Sequence, residues 1–340
     1  MALARANKRK EAREAFSNLG RTALSPALAQ VAEKLQLQLA ALPSATAPLA
    51  RTRGFVKVAS QYDTNAAIVP TTNVFSLRNQ SSASLGNLIN AQIAHDIVAS
   101  DRRRITASYT ALQTINYRIH QVDLQDHALS LSWAEAPKTS TQNFRFGATA
   151  SYDDLLIAEA AFLQRFVIAP FVTVLHGPRR STTFSLQYTQ KDLLNDSGLE
   201  GTTDDRSASN ALLGVQHSIV LSDGRTVAFG GYQQDRESAE GGNFSYRGNK
   251  FLMGTYGPIP HSRLSYAVQG QYYLRNYDNV STDFGFRRND HELTVSTNLA
   301  YALKKRLSLS LEFLKDRNIS NTSVFDYDRE VTSLATTWTF

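Results

Sequence analysis

From about Gly54 onward the chain alternates. In "RLSLSLEFLKD" the apolar residues Leu307, Leu309, Leu311 and Phe313 are separated by Ser308, Ser310 and Glu312. "SRLSYAVQGQYYLRN" sets Leu264, Tyr266, Val268, Tyr272 and Leu274 against Ser265, Ala267, Gln269, Gln271 and Arg275. "HELTVSTNLAYAL" repeats the rule, with Asn298 among its polar positions, and "TTFSLQYTQ" does so with Gln187. A period of two puts successive side chains on opposite faces of a strand. These runs reach about 10 to 16 residues, the length of tilted membrane-spanning strands rather than the usual 5 or 6 of soluble sheets.

A soluble sandwich also alternates, so the links between runs carry the distinction. They switch between short ("ASDRR", "APKTS", "HGPRRS", "SDGR", "GPIPHS", "LKKR") and long ("VPTTNVFSLRNQSSA", "DDLLIAEAAF", "LLNDSGLEGTTDDRS", "RESAEGGN", "YDNVSTDFGF", "NISNTSVF"), with "NYRIHQ" between the two. Tight turns on one side and long loops on the other predict an all-β fold: a transmembrane antiparallel up-and-down barrel of about fourteen strands, turns in the periplasm and loops outside the cell. The polar faces then line the lumen, making Gln187, Gln269, Gln271, Arg275, Asn298, Ser308, Ser310 and Glu312 the candidate lumen residues.

The last run, "EVTSLATTWTF", has Leu334, Trp338 and Phe340 on one face and small residues on the other. A terminal strand of this kind has to pair with the first strand to close the cylinder. An aromatic residue at the end of an alternating run resembles the carboxyl-terminal signal read by the barrel-assembly machinery of Gram-negative outer membranes. The resemblance gives that role to Phe340 and Trp338.

Residues 1–42 are different. Ala12, Phe16 and Leu19, then Leu28, Val31, Leu35 and Leu39, recur at helical spacing, and Ser25-Pro26 is a suitable N-cap and first-turn pair. Two amphipathic helices are predicted here, followed by a linker over 43–53 and the barrel over 54–340. The Ala12-x3-Phe16 spacing resembles the second half of a tetratricopeptide repeat, which needs stacked neighbours to bury its face. "MALARANKRKEAREAF" carries charge where the apolar core of a secretory signal would stand. The expectation is therefore a periplasmic helical array that extends upstream of Met1.

Four segments, "QYDTNAAIVPTT", "SYDDLLIAEAAF", "FRRNDHELTVSTNLAY" and "NISNTSVFDYDREVTSLATTWTF", taken in order, resemble the barrel of the surface lipoprotein assembly modifier family and related tetratricopeptide-repeat outer-membrane proteins. The resemblance covers residues 54–340, and the helical stretch before it is similar to that family's periplasmic repeats. It implies a role in translocation or surface display of a substrate, typically a lipoprotein. The implied partners are outer-membrane lipids, the assembly machinery during biogenesis, and a lipoprotein cargo or periplasmic chaperone. The alternative is a porin or a channel exporting exopolysaccharide or another solute.

Charge and chemistry refine this picture. The 36 basic and 30 acidic residues nearly balance, but the short turns are basic: Arg102, Arg103, Arg104, Lys138, Arg179, Arg180, Arg225, Arg263, Lys304, Lys305 and Arg306. This rim is placed to meet lipid phosphates or an acidic partner, or it simply snorkels to the headgroups. Cysteine is absent, which excludes thiolate metal sites and disulfides and suits an oxidising compartment. The seven histidines are scattered. Asp123, Asp126 and His127 come nearest to a cluster, yet no serine partner stands with them, so no enzyme activity, cofactor or nucleic-acid partner is expected. The pairs Asp153-Asp154 and Asp204-Asp205 lack calcium-loop spacing. The acidic loop 195–207 is expected to be a solvated external loop rather than a constriction.

Overall fold

The structure is a computed structural model that describes residues 51–71, 82–100, 102–136, 143–194 and 198–340. Fourteen antiparallel strands form one closed barrel. In order they are β1 (Thr52–Asp63), β2 (Ser84–Ala99), β3 (Arg103–Asn116), β4 (Leu124–Glu135), β5 (Phe144–Ile157), β6 (Ala160–Leu175) and β7 (Arg180–Leu193). The wall continues with β8 (Ala208–Val220), β9 (Val227–Ala239), β10 (Tyr246–Pro258), β11 (Leu264–Val280), β12 (Arg287–Lys304), β13 (Leu307–Ser320) and β14 (Tyr327–Thr339). Each strand pairs with its neighbours in sequence, and β14 returns to β1. No backbone edge is left open, the condition for a sheet to survive in hydrocarbon. The predicted helices and most of the predicted linker lie outside the described residues; Thr52 and Arg53, assigned above to the linker, are the first residues of β1.

The two faces of the wall are opposite in character. Along β13 and β14, Leu311 and Leu334 are 54% and 55% exposed, whereas Glu312 and Ser333 are 1% and 3% exposed. Val58, Ile93, Leu131, Phe184, Leu213 and Met253 extend the same apolar exterior around the barrel. A large apolar side chain gains roughly 1.5–3 kcal/mol on leaving water. Such a belt outside and polar groups inside is the inverse of a soluble protein's arrangement, and it makes this a membrane-spanning barrel.

Four links differ from the sequence expectation. The segment "DDLLIAEAAF" is not a long loop: β5 and β6 run through it and meet at a two-residue turn, Ala158 and Glu159, with φ of +50° and +66°. In "RESAEGGN" and "YDNVSTDFGF" the strands also run on, to Ala239 and Val280. In "RESAEGGN" and "YDNVSTDFGF" polar residues fall on both faces toward the hydrated loop end, and in "DDLLIAEAAF" Leu155, Leu156 and Ile157 run on without alternating, so the pattern fades while the hydrogen-bond ladder continues. Conversely, the short link foreseen at "APKTS" is longer, since β4 ends at Glu135 and β5 starts at Phe144.

The barrel therefore has a turn end, where Thr52, Ala99, Arg103, Lys304, Leu307 and Phe340 lie, and a loop end, where Asp63, Ser84, Leu193 and Ala208 lie.

Candidate functional site: the lumen wall

All the polar residues assigned to the lumen from sequence lie on the inward face. Gln187 is opposite buried Leu212, and Gln269 and Gln271 are opposite Ser296 and Thr294. Ser308 pairs with Thr337, which is 1% exposed, and Ser310 with Ala335. Asn298, Ser310 and Glu312 are brought together: Asn298 Nδ2 and the Ser310 hydroxyl donate to Glu312 Oε1 at 3.2 and 3.1 Å. Sequence reading missed their partner. Lys57 reaches from β1 across β14 to Glu312, with Nζ 3.0 Å from Oε2, both side chains 1% exposed. Desolvating two charges costs several kcal/mol per ion, so only a pair with further hydrogen bonds is tolerable there.

Nearer the turn end a second group forms on β1, β2 and β3. Asp96 accepts from Arg53 at 2.8 Å and from the Thr106 hydroxyl at 2.7 Å, and Arg104 Nε stands 3.5 Å away.

Toward the loop end the charges broaden into a belt. Arg165 on β6 pairs with Asp153 on β5 at 2.9 Å. Lys191 on β7 pairs with Glu237 on β9, bridged by Asn210 of β8, whose Nδ2 donates to Glu237 at 2.9 Å and Asp235 at 3.1 Å. The Tyr273 hydroxyl also donates to Asp235, at 2.7 Å, and lies within hydrogen-bond distance of the Tyr246 hydroxyl, at 3.0 Å. Lys250 and Arg275 both lie over the Tyr273 ring, 4.4 and 5.0 Å from its centroid. Gly248 makes this crowding possible, because a Cβ there would fall 1.9 Å from Asp235 Oδ1 and 2.7 Å from the Tyr273 ring.

Arg275, alone of the predicted lumen residues, belongs to this belt. Its Nη2 lies 2.7 Å from Glu292, 3.7 Å from Asp290 and 3.2 Å from Asn318. Arg288 holds Asp290 at 2.6 Å and stacks on Phe325 and Tyr277, 3.2 and 4.5 Å from their centroids. Arg329 on β14 closes the circuit onto Asp63 of β1 at 2.6 Å. Acidic and basic groups thus alternate around this belt, interleaved with Tyr246, Tyr273 and Tyr277. Their sequence signal was present but unused: Lys57 in "FVKVAS" and Asp235 in "YQQDRES" occupy polar positions of alternating runs.

The other predicted residues sort as follows. The basic residues Arg102, Arg103, Arg104, Arg179, Arg180, Lys304, Lys305 and Arg306 all lie at the turn end, but they do not act alike. Arg103 bonds Glu135 at 3.0 and 3.2 Å on the outer side, while Arg104 points inward to Asp96. Lys138 lies outside the described residues. Asp126 and His127 are neighbours on β4 and therefore face opposite sides: His127 bonds the outward Tyr109 hydroxyl at 2.8 Å, and Asp123 caps the β3–β4 link by accepting from Asn116. The acidic loop is tied to its neighbours, with Asn243 donating to Asp204 at 2.8 Å and Asp205 accepting from the backbone of Gly201 and Ser207, both at 2.9 Å. These bonds, that from Gly201 first, hold the Asp205 carboxyl below its ordinary pKa. At the chain end, Trp338 and Phe340 face outward with ring centroids 5.0 Å apart, and Phe340 exchanges backbone hydrogen bonds of 3.0 and 3.1 Å with Gly54.

No family model matches the sequence, and no curated protein matches it. Among solved structures, the chain is similar to a Pseudomonas aeruginosa FadL homologue, with TM-score 0.47 and 11% identity over 88% of this chain and 93% of that one. It is also similar to an anion-selective porin from Comamonas acidovorans, with TM-score 0.44 and 11% identity over 85% of this chain and 98% of that one. A loop-deleted form of OmpT, an outer membrane protein of Vibrio cholerae, gives TM-score 0.46 and 5% identity over 85% of this chain and 99% of that one. With its closed strand order and apolar exterior, this chain has the fold of an outer-membrane β-barrel.

Proposed function

We propose that the protein is a bacterial outer-membrane channel for small polar solutes, with weak preference for the sign of their charge. The observation that supports this is the belt of matched acidic and basic groups running from Asp153 through Lys191, Asp235, Arg275 and Asp290 to Arg329, interleaved with tyrosines. A ring of one sign would favour one ion. Paired groups instead offer donors and acceptors together, which suits hydrogen-bonding or zwitterionic solutes. Arg275 is the most consequential of them, because its removal leaves Glu292 without its 2.7 Å partner inside the wall.

The test is conductance of the full chain in planar bilayers under a salt gradient. The native chain should give a reversal potential near zero. Arg275→Gln should shift it toward cation preference, and Glu292→Gln should shift it the opposite way. Absence of any conductance in folded protein overturns the channel.

A second reading, translocation or surface display of a lipoprotein, is favoured by one observation. The barrel begins at Thr52 on the turn end, so the residues before it, with their helical pattern over 1–42, join it on the side where cargo would arrive. Deleting residues 1–50 should abolish display of candidate lipoproteins from the same genome if this reading holds, and should leave conductance intact if only the channel reading does.

A further inference from the structure

The loop end carries a charged cavity whose arginines lie on the outer side of the wall, with Tyr277 of the inner face also among its lining. On β9, β10 and β11 the outward residues Tyr232, Phe251 and Tyr272 lie side by side in register. Tyr232 and Phe251 have ring centroids 5.3 Å apart. Aromatic rows of this kind mark the boundary between hydrocarbon and headgroups. Four residues further along the same strands, again in register and outward, come Arg236, Arg247 and Asn276. At about 3.3 Å per residue, and with strand tilt of roughly 35–45°, this second row stands about 10 Å above the first, in the headgroup layer.

There the wall is concave. Arg236, Arg247, Asn276, Asp278 and Arg287 line a cavity of about 690 Å³. Its charges are not matched as those of the lumen are. Asp278 is shared by Arg247 at 3.4 Å and Arg236 at 4.0 Å, while the arginine side chains remain 64% and 61% exposed. Arg287, also exposed, adds a third guanidinium to one carboxylate. Guanidinium groups bind phosphate oxygens through paired N–H donors, and they do so best where water is partly excluded. Long arginine stems beside an aromatic row can also lie along acyl chains while their heads stay polar.

We propose that this cavity is a binding site for the phosphorylated headgroup of a lipid in the leaflet on the loop side, its acyl chains lying over Tyr232, Phe251 and Tyr272. The site is separate from the conducting path, so its failure and that of the channel reading are distinguishable: substitutions here should leave conductance unchanged.

The experiment uses the full chain folded in detergent, with diphosphorylated lipid A as the probe, its dephosphorylated form and inorganic phosphate as controls, and native mass spectrometry as the readout. Native protein should retain the phosphorylated lipid at least 10-fold more strongly than the dephosphorylated one. The triple variant Arg236→Gln, Arg247→Gln, Arg287→Gln should lose that preference, and the corresponding triple lysine variant should keep most of it. Asp278→Asn, which removes the competing carboxylate and no guanidinium, should bind more tightly. Equal retention by the native chain and the glutamine variant overturns the proposal, as does unchanged affinity in Asp278→Asn. Inorganic phosphate binding as tightly as the lipid would make this a free-phosphate site and overturn the lipid assignment.

Discussion

The ring of Phe340 lies on Gly54: a Cβ built at residue 54 would fall 2.4 Å from Phe340 Cζ. The same Cβ would fall 2.4 Å from the backbone oxygen of Gln92 on β2. Phe340 thus covers a bare stretch of β1 at the seam where β14 meets it, an arrangement in which an aromatic shields a strand glycine. Gly54→Ala should destabilise the barrel by about 1–3 kcal/mol through overpacking. Phe340→Ala should cost about 1–2 kcal/mol through lost apolar contact. Combining the two should not restore the native value, because the Gln92 carbonyl remains in the way. Urea midpoints of detergent-folded protein measure all three, and a silent Gly54→Ala would contradict the seam geometry.

Lys57 and Glu312 fasten the same seam from inside. Lys57→Met leaves the Glu312 carboxylate buried with only Asn298 and Ser310 to hold it, and should cost about 3–5 kcal/mol. The double variant Lys57→Met, Glu312→Leu removes both charges and should recover most of that loss. A double-mutant cycle on unfolding free energies gives the coupling. Additive losses would mean that the pair is not coupled.

The loop around Asp205 should respond to acid. Its carboxyl is held below the ordinary value by hydrogen bonds from Gly201 and then Ser207. A group with a lowered folded-state pKa contributes its stabilisation fully above the unfolded value of 3.8 and loses it as pH falls through the lowered folded value. Limited proteolysis by an acid-active protease across that range should therefore show the loop near Gly201 opening on acidification. In Asp205→Asn it should already be more open at neutral pH, with little further change in acid.

Ala158 and Glu159 join β5 and β6 with both residues at positive φ, where a side chain costs roughly 1–2 kcal/mol per residue. This is the conformation of a type I′ hairpin turn, for which Asn-Gly is the preferred pair. The double substitution Ala158→Asn, Glu159→Gly should stabilise the barrel by about 1 kcal/mol, read as a rise in urea midpoint. A fall would show that these side chains make contacts worth more than the backbone strain.

The alternation of Leu307, Leu309 and Leu311 with Ser308, Ser310 and Glu312 was enough to specify strand, length, and which face meets lipid and which the lumen, because a period of two admits one arrangement once lipid takes the apolar side. The strand number followed from the switching of short and long links between the runs. Sequence failed where the rule lapses. At "RESAEGGN" both faces are polar and at "DDLLIAEAAF" Leu155, Leu156 and Ile157 run on without alternating, so a continuing strand looks like a loop, and the true turn at Ala158 and Glu159 carries no glycine or asparagine to announce it.

The lumen chemistry lay further out of reach. Arg275, Glu292 and Asp290 are neighbours on paired strands, but Lys57 meets Glu312 across 255 positions, and Arg329 meets Asp63 across 266. Alternation determined that each of these charges points inward. Which charge it meets depends on the register of β1 against β14, and register is a property of the closed ring: it is fixed only when the last strand docks on the first. That docking pairs Lys57 with Glu312 and Arg329 with Asp63, whereas the local register of β9 against β10 sets Arg236 beside Arg247 on the outer face, where they share the carboxylate of Asp278.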